Sequence, residues 1–125
     1  MEKSEQIFKE SCKQLGISEE LPTHPNPKRE KAFQALHKLE VITEAKNGDW
    51  KANFANWDQK KWIPFFVGEK DNEGNLSGFR FYGTLCDYTY TDAGAGSRFC
   101  FPTSDMAREV GTKYECIYEK LQTLN

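Results

Sequence analysis

Aromatic side chains are spread unevenly along this chain of 125 residues. It holds nine Phe, three Trp and five Tyr, and thirteen of them lie between Trp50 and Phe101. Aromatic rings bury large apolar areas, so a block this dense must organise whatever folds around it. Eleven of the thirteen come in four pieces: Trp50-Lys-Ala-Asn-Phe-Ala-Asn-Trp57, Lys61-Trp-Ile-Pro-Phe-Phe66, Gly78-Phe-Arg-Phe-Tyr82 and Ser97-Arg-Phe-Cys-Phe101. Trp and Tyr also suit positions where one end of a side chain is buried and the other wet, so the block is a candidate binding surface as well as a candidate core.

Strand signals dominate it. Residues 62–67 read as a first strand, with Pro64 implying an edge position or a bulge. Asp71-Asn-Glu-Gly-Asn75 is a turn, and residues 79–90 read as a long second strand. Alternation gives Phe79, Phe81 and Leu85 one face, and Arg80, Tyr82, Cys86, Tyr88 and Tyr90 the other. Gly83 marks a bend or bulge. Residues 97–101 read as a third strand, with Phe99 and Phe101 facing the core and Arg98 facing away. Residues 49–60 carry no sustained period and read as loop.

Helical periodicity flanks the block. Phe8, Cys12 and Leu15 define a short helix over residues 4–15, stopped by Gly16. Asn26-Pro27 is a start signal for a helix over 27–47, with Ala32, Ala35, Leu36, Leu39 and Ile42 as its apolar stripe and Asn47-Gly48 as its stop. Thr103 or Ser104 caps a last helix, where Ala107, Val110, Tyr114, Ile117, Leu121 and Leu124 repeat at helical spacing.

The expected architecture is therefore a single α+β domain over 1–125. It has a short N-terminal helix and loop (1–26), a helix (27–47), an aromatic-rich sheet region (48–102) and a C-terminal helix (103–124). The sheet is expected to be three-stranded and antiparallel, with the two long helices packed on one face.

Charge narrows the function classes. Seventeen basic and nineteen acidic residues give a net charge of −2, and the aromatic stretch itself holds six of each sign. That balance argues against a strongly nucleic-acid-binding or membrane-surface protein. The polar N-terminus and the lack of a long apolar run predict neither a leader nor a membrane span. Cys12, Cys86, Cys100 and Cys116 show no Cys-x-x-Cys spacing and read as reduced thiols of a cytoplasmic protein.

Candidate chemistry is sparse. His24 and His37 lie at no metal-site spacing to a cysteine, so no metal and no cofactor are expected. A Cys–His nucleophile pair would need Cys86 or Cys100 beside His37, and nothing local supports it. Gly94-Ala-Gly96 lacks the Lys-Ser/Thr and helix of a phosphate loop, and a hairpin connection is the simpler reading. Asp87 and Asp92 read as turn chemistry. Lys28-Arg-Glu-Lys31 reads as a solvated face, with an anionic partner as the alternative.

Several pieces together carry a resemblance: Asn47-Gly-Asp-Trp50, Asn56-Trp57, Lys61-Trp-Ile-Pro-Phe-Phe66, Ser77-Gly-Phe-Arg-Phe-Tyr82, Gly96-Ser-Arg-Phe-Cys-Phe101, and Met106-Ala107 through Gly111 to Tyr114. Over roughly residues 47–118 the chain resembles small uncharacterised proteins encoded by phages and prophages of gut bacteria. The resemblance implies a mobile-element origin and a bacterial host cytoplasm, and it brings no activity and no catalytic residue. Gly111 has a physical reading too: it lets the last helix approach the sheet closely.

The functional expectation is a non-enzymatic accessory protein that binds a protein, either a host factor or another copy of itself. The candidate surface is Arg80, Tyr82, Tyr88, Tyr90 and Arg98, with Trp50 and Trp57 at its rim. The alternatives are single-stranded nucleic-acid binding by stacking on that face, and a small-molecule or nucleotide binder or hydrolase using the Gly94–Gly96 loop.

Overall fold

The computed structural model describes residues 3–56, 58–87 and 99–123. The order is α1 (Lys3–Leu15), α2 (Pro27–Asn47), β1 (Lys61–Lys70), β2 (Leu76–Asp87), α3 (Ser104–Lys113) and α4 (Glu115–Thr123). The class is α+β, and the residues gather into two compact units, Met1–Trp50 with Cys116–Asn125, and Lys51–Glu115.

The first unit is helical. Phe8 and Cys12 of α1, Ala35, Leu39 and Ile42 of α2, and Ile117 and Tyr118 of α4 are buried. Full burial of a side chain like Leu39 contributes roughly 1.5–3 kcal/mol. The Asn26 side chain caps α2 by accepting from the Lys28 and Arg29 amides, and Pro27 starts the helix at the position where a missing N–H costs nothing. α1 ends as its sequence implies, with Gly16 at φ 69° and the Ile17 amide bonded to the Cys12 carbonyl. Beyond the expected stripe, Val41, Thr43 and Ala45 are buried too, so the second half of α2 is enclosed on more than one face.

The second unit holds the sheet, which has two strands among the described residues rather than three. Phe101 makes one isolated antiparallel bridge to Trp62, its amide and carbonyl both bonded at 2.8 Å. The bridge explains its own shortness. Trp62 turns its polar groups toward Phe101, so Pro64, two residues on, turns its nitrogen to the same edge. Proline has no N–H to continue that ladder. Of the rest of the expected third strand, Phe99 and Cys100 form no strand, and Ser97 and Arg98 lie outside the described residues.

One helix, α3, packs on the hairpin within this unit, where two long helices were expected; α2 belongs to the helical unit. Gly111 makes the approach possible, as the sequence implies. A Cβ there would lie 2.5 Å from Phe81 Cδ1 and 2.7 Å from Pro64 Cβ. The expected 103–124 helix is broken at Tyr114, whose φ and ψ are −118° and 27°. Gly111 weakens the helix there. The Thr112 hydroxyl also donates to the carbonyls of Arg108 and Glu109, the kind of back-bonding that bends helices. Glu115, just past the break, accepts the Phe81 amide at 2.8 Å and so covers one polar group on the free edge of β2.

The loop before β1 wraps a buried lysine. Lys61 Nζ donates to the carbonyls of Asn56 and Gln59 and sits 5.3 Å over the Phe54 ring. Gln59 fastens the loop by accepting from the Asn53 amide and donating to the Lys51 carbonyl.

Candidate functional site

A register shift decides which side chains the hairpin presents outward. Phe65 pairs with Gly83 and Phe66 with Phe81, leaving Tyr82 as the extra residue of a bulge. A bulge inverts the alternation of everything beyond it. Phe79 and Phe81 face inward with Phe66, stacked on Phe79 at 5.1 Å and edge-on to Phe81 at 6.1 Å. Past the bulge the inward residue is Thr84, whose hydroxyl meets that of Ser104 at 2.9 Å. Leu85 therefore points out, 51% exposed. This corrects the expected grouping of Leu85 with Phe79 and Phe81, and moves Cys86 to the Thr84 face.

The outer face then reads Ile63, Phe65 and Val67 from β1, opposite Leu85, Gly83 and Arg80 from β2, with the bulged Tyr82 between them. Tyr82 is 61% exposed and its ring lies 5.2 Å from that of Phe65. At one end Arg80 Nε donates to Glu69 Oε1 at 2.6 Å, and its guanidinium stands 6.0 Å from the Tyr82 ring. The Glu69 hydrogen bond raises the Arg80 pKa further above its usual value. The face is thus largely apolar, with one internally neutralised ion pair at its end.

Of the residues expected from sequence, Arg80 and Tyr82 come together on this face. Trp50 is half-buried in the helical unit, its amide bonded to the Asn47 carbonyl at 3.1 Å. Trp57, Tyr88, Tyr90 and Arg98 lie outside the described residues, as does the Gly94–Gly96 loop. Sequence reasoning missed Ile63, Phe65, Val67, Glu69 and Leu85. The odd-numbered run of β1 carries the first four. Reading Gly83 as the point where parity flips would have supplied the fifth.

Asp92 and the Asp87 side chain lie outside the described residues, and the histidines and Cys100 sit in structural settings. The His24 imidazole accepts the Asn26 amide, while its backbone N–H donates to Glu30, which ties the loop to α2. His37 packs edge-on to Phe8 at 5.9 Å. Cys100 is fully buried and belongs, with Cys86, to the sheet unit rather than the unit of His37. Among the described residues, no group of three His, Cys, Asp or Glu side chains is placed to hold a metal ion. No described helix is long and apolar enough to cross a membrane. Comparison with known protein families, curated proteins and solved structures yields no match to this chain.

Proposed function

We propose that the chain is a non-enzymatic binding protein, and that the outer face of its β1–β2 hairpin receives a second copy of itself. The observation that carries this reading is the exposure of Tyr82 and Leu85 on a face otherwise built from Ile63, Phe65 and Val67. Exposed contiguous apolar surface of this kind marks interaction sites. The occupant follows from charge. The pair Arg80 and Glu69 is opposite in sign and adjacent at one end, so a two-fold partner can exchange these ion pairs without leaving a charge unmatched. A net charge of −2 adds little repulsion between copies.

The stacking reading for single-stranded nucleic acid draws less support. The described cation of this face is already held by Glu69, and affinity for a phosphate backbone depends on free cations. A phage or prophage accessory role remains part of the proposal, on the motif resemblance alone. The test is native mass against concentration for the parent chain and for Leu85→Glu. A dimer that the variant dissociates supports the reading. A parent chain that stays monomeric throughout removes the second copy as occupant, and leaves a host protein as the partner to seek.

A further inference from the structure

The helical unit holds a small cavity of about 50 Å³, lined by Ser4 of α1, Lys31, Gln34 and Lys38 of α2, and Cys116 and Lys120 of α4. Its charge is one-sided. Lys31, Gln34 and Lys38 stand at i, i+3 and i+7, one face of α2, with the two lysines roughly 10 Å apart along the axis. That leaves both stems long enough to lean over the hollow between them. Lys120 reaches the same hollow from α4.

Among the described residues no carboxylate lines the cavity, and none of the three lysines makes an ion pair. Lys38 has a ring neighbour instead, Phe8 at 5.9 Å. The Gln34 amide is engaged with the Pro22 carbonyl, which makes it a wall. The Cys116 thiol donates to the Ser4 hydroxyl at 3.5 Å, and Ser4 is 7% exposed. Both residues sit in the first turn of their helices, the end where the helix dipole is positive. Acids outnumber bases in this chain, yet three lysines and no described acid line this hollow.

We propose that this cavity binds a phosphate group, either inorganic phosphate or the phosphate of a small monoester. A water needs roughly 10–15 Å³ of such volume, so the space suits a few waters or one tetrahedral oxyanion. Three ammonium groups match a phosphate carrying nearly two negative charges and several acceptor oxygens. Lys31 ends the basic run Lys28-Arg-Glu-Lys31, so part of that run acts as a ligand-facing element.

Cys116 supplies a local readout. Iodoacetamide alkylation of the full chain is followed by peptide mass spectrometry while inorganic phosphate is titrated against chloride at matched ionic strength. Cys86, in the sheet unit, is the internal reference. The expected result is saturable protection of Cys116 at millimolar phosphate with Cys86 unchanged, and about tenfold weaker protection in Lys31→Gln or Lys120→Gln. Both of these lysines are exposed, so the variants should keep the parent's thermal stability, which a melt verifies. Phosphoserine in a parallel arm distinguishes the sources: tighter protection by phosphoserine assigns a monoester, and equal or weaker protection assigns the free anion. A Cys116 rate indifferent to phosphate overturns the site, as does protection that persists undiminished when Lys31→Gln and Lys120→Gln are combined.

Discussion

Each of the two compact units is stabilised internally in its own way. The helical unit spreads its core over repeated positions, with Phe8, Cys12, Ala35, Leu39, Ile42 and Ile117 each contributing a modest share. The sheet unit has fewer buried apolar residues among those described, Cys100, Phe101, Ala107, Val110 and Tyr114, and adds singular contacts to them: the Phe101 bridge to Trp62, the Gly111 approach to Phe81 and Pro64, and the carbonyl cage around Lys61. Distributed packing can relax around a loss. A singular contact has no neighbour to replace it.

The sharpest test of that difference pairs two truncations. Phe101 and Leu39 are both essentially unexposed. Phe101→Ala should destabilise by about 3–5 kcal/mol and Leu39→Ala by about 2–5 kcal/mol. Amide hydrogen exchange tells which unit bears each loss. Phe101→Ala should strip protection from Trp62 and α3 while α1 and α2 keep theirs, and Leu39→Ala should do the reverse. If each variant weakens both units alike, the contrast fails.

Gly111→Ala comes next. Its new methyl would overlap Phe81 and Pro64, so α3 must lift off the hairpin or Phe81 must leave its place. Overpacking of this kind costs about 1–3 kcal/mol, although alanine is the better helix former. A raised denaturation midpoint in the variant would show that this close approach is not a constraint.

How much of this was legible in the sequence follows the same divide. The bounds of α2, the Asn26 cap and the Gly16 stop are local, fixed by residues within a turn of one another, and they could be read directly. So could Gly111, because a lone glycine in a helical stripe needs a packing reason. The break at Tyr114 was hidden, since the stripe Ala107, Val110, Tyr114, Ile117 runs through it unbroken. The outer face was half legible. Gly83 announced a bulge, but carrying its consequence to Leu85 requires the cross-strand register, which is not a local property. The third strand was hidden for a related reason: Pro64 marks an edge, but which neighbour its missing N–H stops depends on the cross-strand register.

Alkaline pH should separate the units again, with a smaller effect. Burial pushes the Tyr118 phenol up, and burial, together with the Glu19 carboxylate, pushes the Cys12 thiol up. Both groups belong to the helical unit. An acid whose folded pKa is raised contributes stability that is present below its unfolded pKa and lost as pH rises above it. Those unfolded values are about 8.5 for Cys and 10 for Tyr. Stability should therefore fall from about pH 9 upward, by at most about 1.4 kcal/mol per pH unit for each group. Denaturant titrations at successive pH values measure the slope, and Tyr118→Phe should flatten it above pH 10. An unchanged slope in Tyr118→Phe would place the alkaline loss elsewhere.

The smallest expected effect bears on the hairpin's outer face. Arg80 and Glu69 make a short ion pair, but their side chains are each 55% exposed. Pairs in that setting contribute little and often nothing measurable, because water and salt screen the charges and two long side chains must be held still. Arg80→Ala should therefore leave the denaturation midpoint nearly unchanged. Its effect should be on association instead, by leaving Glu69 unmatched at the end of an apolar surface. A variant that keeps its fold and loses self-association assigns the pair to recognition. A variant whose denaturation midpoint falls markedly would make Arg80 one more singular contact of the sheet unit, and the outer face would then belong to the fold.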